Sequence, residues 1–126
     1  LTESGRKIYK LEDVYPHADL VTYPSTFEGF GNAFLEAIYF CRPIMVNTYS
    51  IYAMDIKPKG FSVIEMDGYV SDETVRRTRK ILTDTDLRLK MVKHNYETAQ
   101  KYYSYSVLHN KLKNLISTNA NFVIKT

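Results

Sequence analysis

The chain has 126 residues, of which 44% are hydrophobic and 25% charged, with a formal charge of +3. This is one domain's worth of globular sequence, long enough to bury a core, and its charge is too small for the basic footprint of a nucleic-acid binder. The single cysteine, Cys41, excludes an internal disulfide, fits a reducing and so cytoplasmic setting, and reads as a core residue of an apolar helix.

Residues 1–9 are polar and lack an initiating methionine, which reads as a cut from a longer protein. No signal-peptide pattern opens the chain. No apolar run approaches the roughly 18 residues that span a bilayer. Residues 11–17, L-E-D-V-Y-P-H, read as a short helix stopped near Pro16. His17 at its end has no nucleophile beside it and reads as structural rather than as a base. Residues 20–23 have the apolar, β-branched look of a buried strand.

Residues 23–43, Y-P-S-T-F-E-G-F-G-N-A-F-L-E-A-I-Y-F-C-R-P, read as strand end, glycine turn, helix and helix stop. Gly29 and Gly31 permit unusual backbone angles and close approach of a ligand. A helix starting at Gly31 or Asn32 presents unpaired N–H donors and a dipole that favours an anion such as phosphate. Glu28 stands in the turn and Glu36 about one turn into the helix. Phe34, Leu35, Ala37 and Ile38 around Glu36 are apolar, so the helix should be buried. An unpaired carboxylate there would be costly, so Glu36 faces a pocket or a specific partner. A phosphate at the turn with carboxylates beside it for hydroxyl groups suits a nucleotide-sugar. The competing reading is that the glycines only shape a tight turn and Glu36 sits at a helix edge.

Proline disfavours helix before it, so the helix ends before Arg42-Pro43. Residues 43–47 read as a second buried strand. Strand, helix and strand joined by short links give a parallel βαβ unit with a right-handed crossover. Ligands then bind at the carboxyl ends of the strands, where residues 47–50, N-T-Y-S, also fall. Residues 55–60 are a turn-rich link, 61–66 a third strand and Asp67-Gly68 a turn. Ser71 should cap a helix running to about Leu82. Its basic run Arg76, Arg77, Arg79 and Lys80 reads as a solvated face rather than a phosphate or membrane site. Asp84-Thr85-Asp86 has the D-x-D form of a metal site but no strand before it, and reads as a cap for a helix over 87–101. Residues 102–106 break that helix, a last helix runs to about Ile116, and 119–126 read as tail.

The central stretch resembles the E-x7-E signature of retaining glycosyltransferases of the GT-B fold, especially family 4. Pro24, Ser25, Glu28, Gly29, Phe30, Gly31, Leu35, Glu36, Ala37 and Pro43 stand in register with it, and the resemblance covers most of the chain. It implies an α/β fold, a Rossmann-like parallel sheet flanked by helices, forming the C-terminal, donor-binding half of a GT-B enzyme over residues 1–126. The implied activity is hexose transfer from a UDP-, GDP- or ADP-linked sugar with retention at the anomeric carbon. It implies that Glu28 accepts sugar hydroxyls as the catalytic-site residue, that Glu36 accepts the ribose hydroxyls, and that the backbone of Gly29, Phe30, Gly31 and Asn32 faces the diphosphate and sugar. No metal and no cofactor is implied, since protein groups stabilise the leaving diphosphate. The basic residues the family uses lie upstream of the signature, and Arg6 and Lys7 are not assigned to that role. An upstream acceptor domain of the same chain is expected as partner, with any peripheral membrane contact made through it, so residues 1–126 alone should be inactive. The sequence departs from the family at Cys41-Arg42-Pro43, where G-K-P is common. It departs again at residues 48–52, where bulkier side chains should narrow the pocket. The alternatives are a non-catalytic module of the same fold, against which the intact Glu28, Gly29, Gly31 and Glu36 argue, and a dinucleotide oxidoreductase, for which G-x-G-x-x-G is missing.

Overall fold

A computed structural model describes the backbone of residues 2–3 and 6–123 and the side chains of residues 8–118. A short antiparallel pair, β1 (Thr2–Glu3) and β2 (Arg6–Lys7), precedes the helical turn α1 (Leu11–Val14). A tighter turn, Tyr15–His17, follows with Pro16 in its first residues, where a missing N–H removes no hydrogen bond. It delivers the chain to strand β3 (Val21–Tyr23).

Helix α2 (Asn32–Tyr39) follows the glycine turn, and β4 (Ile44–Asn47) follows α2. The end of α2 explains how the chain turns so sharply into β4. The Cys41 N–H donates to the Ile38 carbonyl at 3.0 Å and the Arg42 N–H to the Ala37 carbonyl at 2.9 Å. This is the Schellman closure, which needs a left-handed residue just past the helix. Cys41 is that residue, with φ of 52°. It is exposed, which corrects its assignment to the core. Where glycine would satisfy the backbone without cost, the closure forces a cysteine out of the helix and into solvent.

The link after β4 is helical rather than turn-rich: a wide helical turn, Tyr52–Ile56, then a tight one, Lys57–Lys59, closed by Gly60 at φ 83°. Strand β5 covers Ile64–Met66, half of the stretch expected. The reason lies in the neighbours of its first half. Asn95 takes both backbone groups of Ser62, accepting from its N–H and donating to its carbonyl, each at 2.7 Å. Arg77 donates to the Val63 carbonyl at 2.9 Å. Backbone groups that would extend the strand ladder are spent on helix side chains instead.

Helix α3 (Asp72–Thr83) is capped by Ser71, whose Oγ accepts from Thr74 N–H at 3.2 Å. Asp84 likewise caps α4 (Thr85–Tyr103), its Oδ1 accepting from Leu87 N–H at 2.9 Å, so the cap reading of Asp84 holds. Ser104 separates α4 from α5 (Tyr105–Val123). That last helix runs beyond Ile116 through most of the stretch expected to be tail, since no glycine or proline stands between Tyr105 and Val123 to stop it. Residues 124–126 lie outside the described residues.

β3, β4 and β5 form a parallel sheet in that order, with Val21 opposite Ile44 and Met45 opposite Ile64. Side chains alternate across it. Ile44 and Val46 face α2 in a cluster with Phe34, Ala37, Ile38, Tyr49, Tyr52, Ile56, Phe61 and Val63. On the other face Ile64, Ile81 and Met91 pack with Leu20, Met45 and Leu87 under α3 and α4. The architecture is α/β, a Rossmann-like parallel sheet flanked by helices. Among the described residues no helix is long and apolar enough to cross a membrane.

Candidate functional site

The carboxyl ends of the three strands are fastened together by one side chain. Asn47, the last residue of β4, is 4% exposed. Its Nδ2 donates to the Ser25 carbonyl at 3.2 Å, and its Oδ1 accepts from Gly68 N–H at 2.8 Å. The loops after β3 and β5 are thereby tied to β4, and both ends of a buried amide are satisfied. This fixes the platform from which the signature turn rises. The sequence marked the position as a strand end but gave no sign of the staple.

Gly31 is the pivot of the turn. It precedes α2 with φ of 84°, a conformation open to glycine and strained for other residues. A Cβ there would lie 2.7 Å from the Tyr49 hydroxyl and 3.0 Å from that of Tyr23, so the position excludes any side chain twice over. No side chain caps α2, which leaves the dipole of its N-terminus to the turn. Gly29 differs: it is exposed and nothing lies within 4 Å of the place its Cβ would take. Its use is open approach to the backbone, not strain. Asn32 is exposed as the first residue of α2. Phe30 is held from both sides, its carbonyl accepting from the Tyr49 hydroxyl at 3.1 Å and its ring lying edge-on to Tyr103 at 5.1 Å.

Each signature glutamate stands beside a tyrosine. Glu36 Oε2 accepts from the Tyr15 hydroxyl at 3.0 Å. Burial, then the bond to Glu36, push the Tyr15 phenol above its ordinary range. Glu28 lies against the Tyr23 hydroxyl at the end of β3; burial, then Glu28, push the Tyr23 phenol up as well. Tyr49 is pushed up to about 12, first by burial and then by the nearby Tyr23 and Glu28 groups. These phenols stay protonated at neutral pH and act as donors. The two carboxylates thus have separate partners, Glu28 at the turn and Glu36 on the flank of α2. The sequence singled out the glutamates but not Tyr15, Tyr23 or Tyr49; the only signal was the unusual count of 11 tyrosines.

The bulky loop after β4 does not narrow the site by its tyrosines. Tyr49 and Tyr52 are 2% and 1% exposed and fill the core beneath the turn. The Tyr52 hydroxyl donates to Glu65 at 2.7 Å, and Lys57 pairs with the same carboxylate at 2.8 Å. Beside this pair a cavity of about 340 Å³, lined by Thr48, Met66, Asp67, Tyr69, Ser71 and Thr74, opens after β4 and β5. A larger cavity, about 410 Å³, lies away from the turn between α3 and α4, lined by Arg77, Lys80 and the paired Arg76 and Glu73 among others.

Comparison with known proteins bears on this arrangement. The family model described as Glycosyl transferases group 1 matches residues 5–98. The chain is 32% identical to a mannosylglucosylglycerate synthase of Thermotoga maritima over 89% of its own length and 30% of that protein. It is 48% identical over 60 residues to a mannosylglucosylglycerate synthase of Petrotoga mobilis, covering 48% of the chain and 14% of that protein. The chain therefore spans less than a third of the curated relatives it matches. No solved structure gives a significant match.

Proposed function

Because the chain belongs to the glycosyl transferases group 1 family, we propose that it is the donor-binding, C-terminal half of a retaining GT-B enzyme of family 4. The donor is a nucleotide-sugar, and a second, upstream domain supplies the acceptor site. A hexose as the transferred sugar accords with the relatives, whose name describes a product built from mannosyl and glucosyl units. The backbone of Gly29, Phe30, Gly31 and Asn32 lies along the diphosphate, Glu28 accepts hydroxyls of the sugar, and Glu36 accepts hydroxyls of the ribose.

The observation that carries this reading is Gly31. A left-handed glycine at an uncapped helix start, closed against any side chain by Tyr23 and Tyr49, leaves main-chain donors and a positive dipole end at one place. Glu28 stands at the same turn, and Glu36 lies one turn further along the same helix. In the chain, the turn backbone stands between two carboxylates that can accept hydroxyls, which supports a nucleoside diphosphate sugar as the ligand.

The test is titration of the enzyme that contains this chain with UDP, GDP and ADP, and of its Glu36→Gln variant with whichever binds. A charge-assisted hydrogen bond contributes about 1.5–3 kcal/mol, so the variant should bind about ten- to a hundredfold more weakly while its melting temperature holds. Native affinity in Glu36→Gln, with only a change of thermal stability, would remove the ribose role.

A further inference from the structure

Tyr15 lies 21 residues before Glu36, yet the fold lays it along one face of α2. Glu36 and Phe40 are four residues apart on that helix and its end, and so share a face. Tyr15 touches both: its hydroxyl donates to Glu36 Oε2 at 3.0 Å, and its ring stacks on Phe40 with centroids 4.8 Å apart and planes 10° from parallel. The segment carrying Tyr15 is itself fastened. Ala18 N–H closes the turn onto the Tyr15 carbonyl at 3.1 Å. Arg42 then bridges the turn to the end of α2, donating to the Ala18 carbonyl at 3.3 Å and to the Phe40 carbonyl at 3.1 Å. The hydroxyl is therefore held in place by a stacked ring, a closed turn and an arginine bridge.

A glutamate on a helix flank has three rotatable bonds, and fixing them costs rotamer freedom. A ligand that must fix them itself binds more weakly. We infer that Tyr15 is the positioning residue of Glu36: its hydroxyl occupies Oε2 and sets the plane of the carboxylate, leaving Oε1 to accept a ribose hydroxyl of the donor nucleotide. Among the described residues Tyr15 is the hydrogen-bond partner of the Glu36 side chain. Tyr15 does not touch the nucleotide in this account; it acts through Glu36. The inference rests on the ribose role proposed for Glu36, and the ring stack and Arg42 bridge are what separate it from a casual contact.

The experiment compares the ribonucleotide and its 2′-deoxy counterpart, taken from whichever of UDP, GDP and ADP binds, on the full-length enzyme and three variants. Native enzyme should prefer the ribonucleotide, and Glu36→Gln should lose that preference. Tyr15→Phe keeps the ring and its stack, so it should fold; it should lower the preference about threefold to tenfold, less than loss of the ribose bond itself because Tyr15 acts only through the orientation of Glu36, with little change in affinity for the deoxynucleotide. Phe40→Leu removes the stack and keeps the hydroxyl. It should lower the preference in the same direction and by less, and it carries the test should Tyr15→Phe misfold. If native enzyme shows no ribose preference, the role of Glu36 itself fails. If Glu36→Gln loses the preference while Tyr15→Phe and Phe40→Leu keep it in full, the role of Glu36 stands and the positioning role of Tyr15 is overturned.

Discussion

On the α2 face of the sheet, Phe34, Ile44 and Ile56 are fully buried, and the rings of Phe34, Tyr52, Phe61 and Tyr103 interlock at centroid distances of 5.2 to 6.2 Å. On the α3–α4 face the buried cluster shrinks to Ile64, Ile81 and Met91, and a cavity of about 410 Å³ reaches Ile81 and Met91. A groove of about 390 Å³ runs along Met45, Val75 and Leu82 on that side as well. The same three strands serve both faces, so the difference comes from the helices. α2 is short and apolar and, with Ala99 and Tyr103 of α4, covers its face closely, leaving a smaller cavity of about 170 Å³ between α2 and α4. α3 carries Arg76, Arg77, Arg79 and Lys80, and α3 and α4 together cover their face with amphipathic sides, each held by its own N-cap and by Arg77 and Asn95 on the backbone of residues 62–63. Closer packing lies under the glycine turn, and looser packing lies away from it.

Truncating one core residue on each face tests this difference in packing most directly. Phe34→Ala empties a sealed site between α2, Tyr52 and Phe61 and should cost about 3–5 kcal/mol. Met91→Ala borders an existing cavity into which neighbours can move, and should cost nearer about 2 kcal/mol, the low end for its type. Urea midpoints of the two variants measure this. Equal losses would show that the two faces are packed alike.

How much of this was legible beforehand follows the same division. Strand, turn, helix and strand between residues 20 and 47 announce themselves through β-branched runs, glycines and a closing proline, and the structure has them within one or two residues at each end. Both N-caps were legible because Ser71 and Asp84 act locally, on amides three residues away. Apart from the exposure of Cys41, what stayed hidden was non-local. The truncation of β5 depends on Asn95 and Arg77, which come from later helices. The exposure of Cys41 depends on a hydrogen-bonded helix closure that a count of apolar neighbours does not register. The tyrosine partner of Glu36, Tyr15, depends on how the segment before β3 folds back along α2. Residue types and spacing single out the glycine turn and its two glutamates, whereas Tyr15, Asn95 and Arg77 reach their partners from distant parts of the chain.

A smaller effect sharpens the contrast at the edge of the well-packed face. Burial alone would raise the Glu65 carboxyl, but its hydrogen bonds from Lys57 and Tyr52 outweigh this and hold it below its ordinary value of 4.5. A carboxyl lowered in the folded state adds stability that is present above 4.5 and lost as pH falls below it. Lys57 is half exposed, so solvent screening holds the contribution below about 1 kcal/mol. Between pH 5 and 3 the native protein should therefore lose more stability than Glu65→Gln, by at most that amount. Parallel acid dependences of the two, followed by urea unfolding at several pH values, would show that Tyr52 and Lys57 do not hold the charge.

The smallest effect is a gain, at the one point where the α2 face carries backbone strain. Cys41 holds φ of 52° so that its own N–H and that of Arg42 can reach the Ile38 and Ala37 carbonyls. A side chain in the left-handed region costs roughly 1–2 kcal/mol relative to the right-handed one. Glycine removes that strain but brings an unfolded chain with more freedom, which takes back about 0.4–1 kcal/mol. The side chain is exposed, so its loss uncovers no core. Cys41→Gly should therefore stabilise the protein by about 0.5 kcal/mol, whereas Cys41→Ala, which keeps a Cβ, should leave it unchanged. Thermal melts of both variants decide this. A Cys41→Gly protein less stable than the native one would mean that the thiol contributes packing, and that this end of α2 is not where the face is strained.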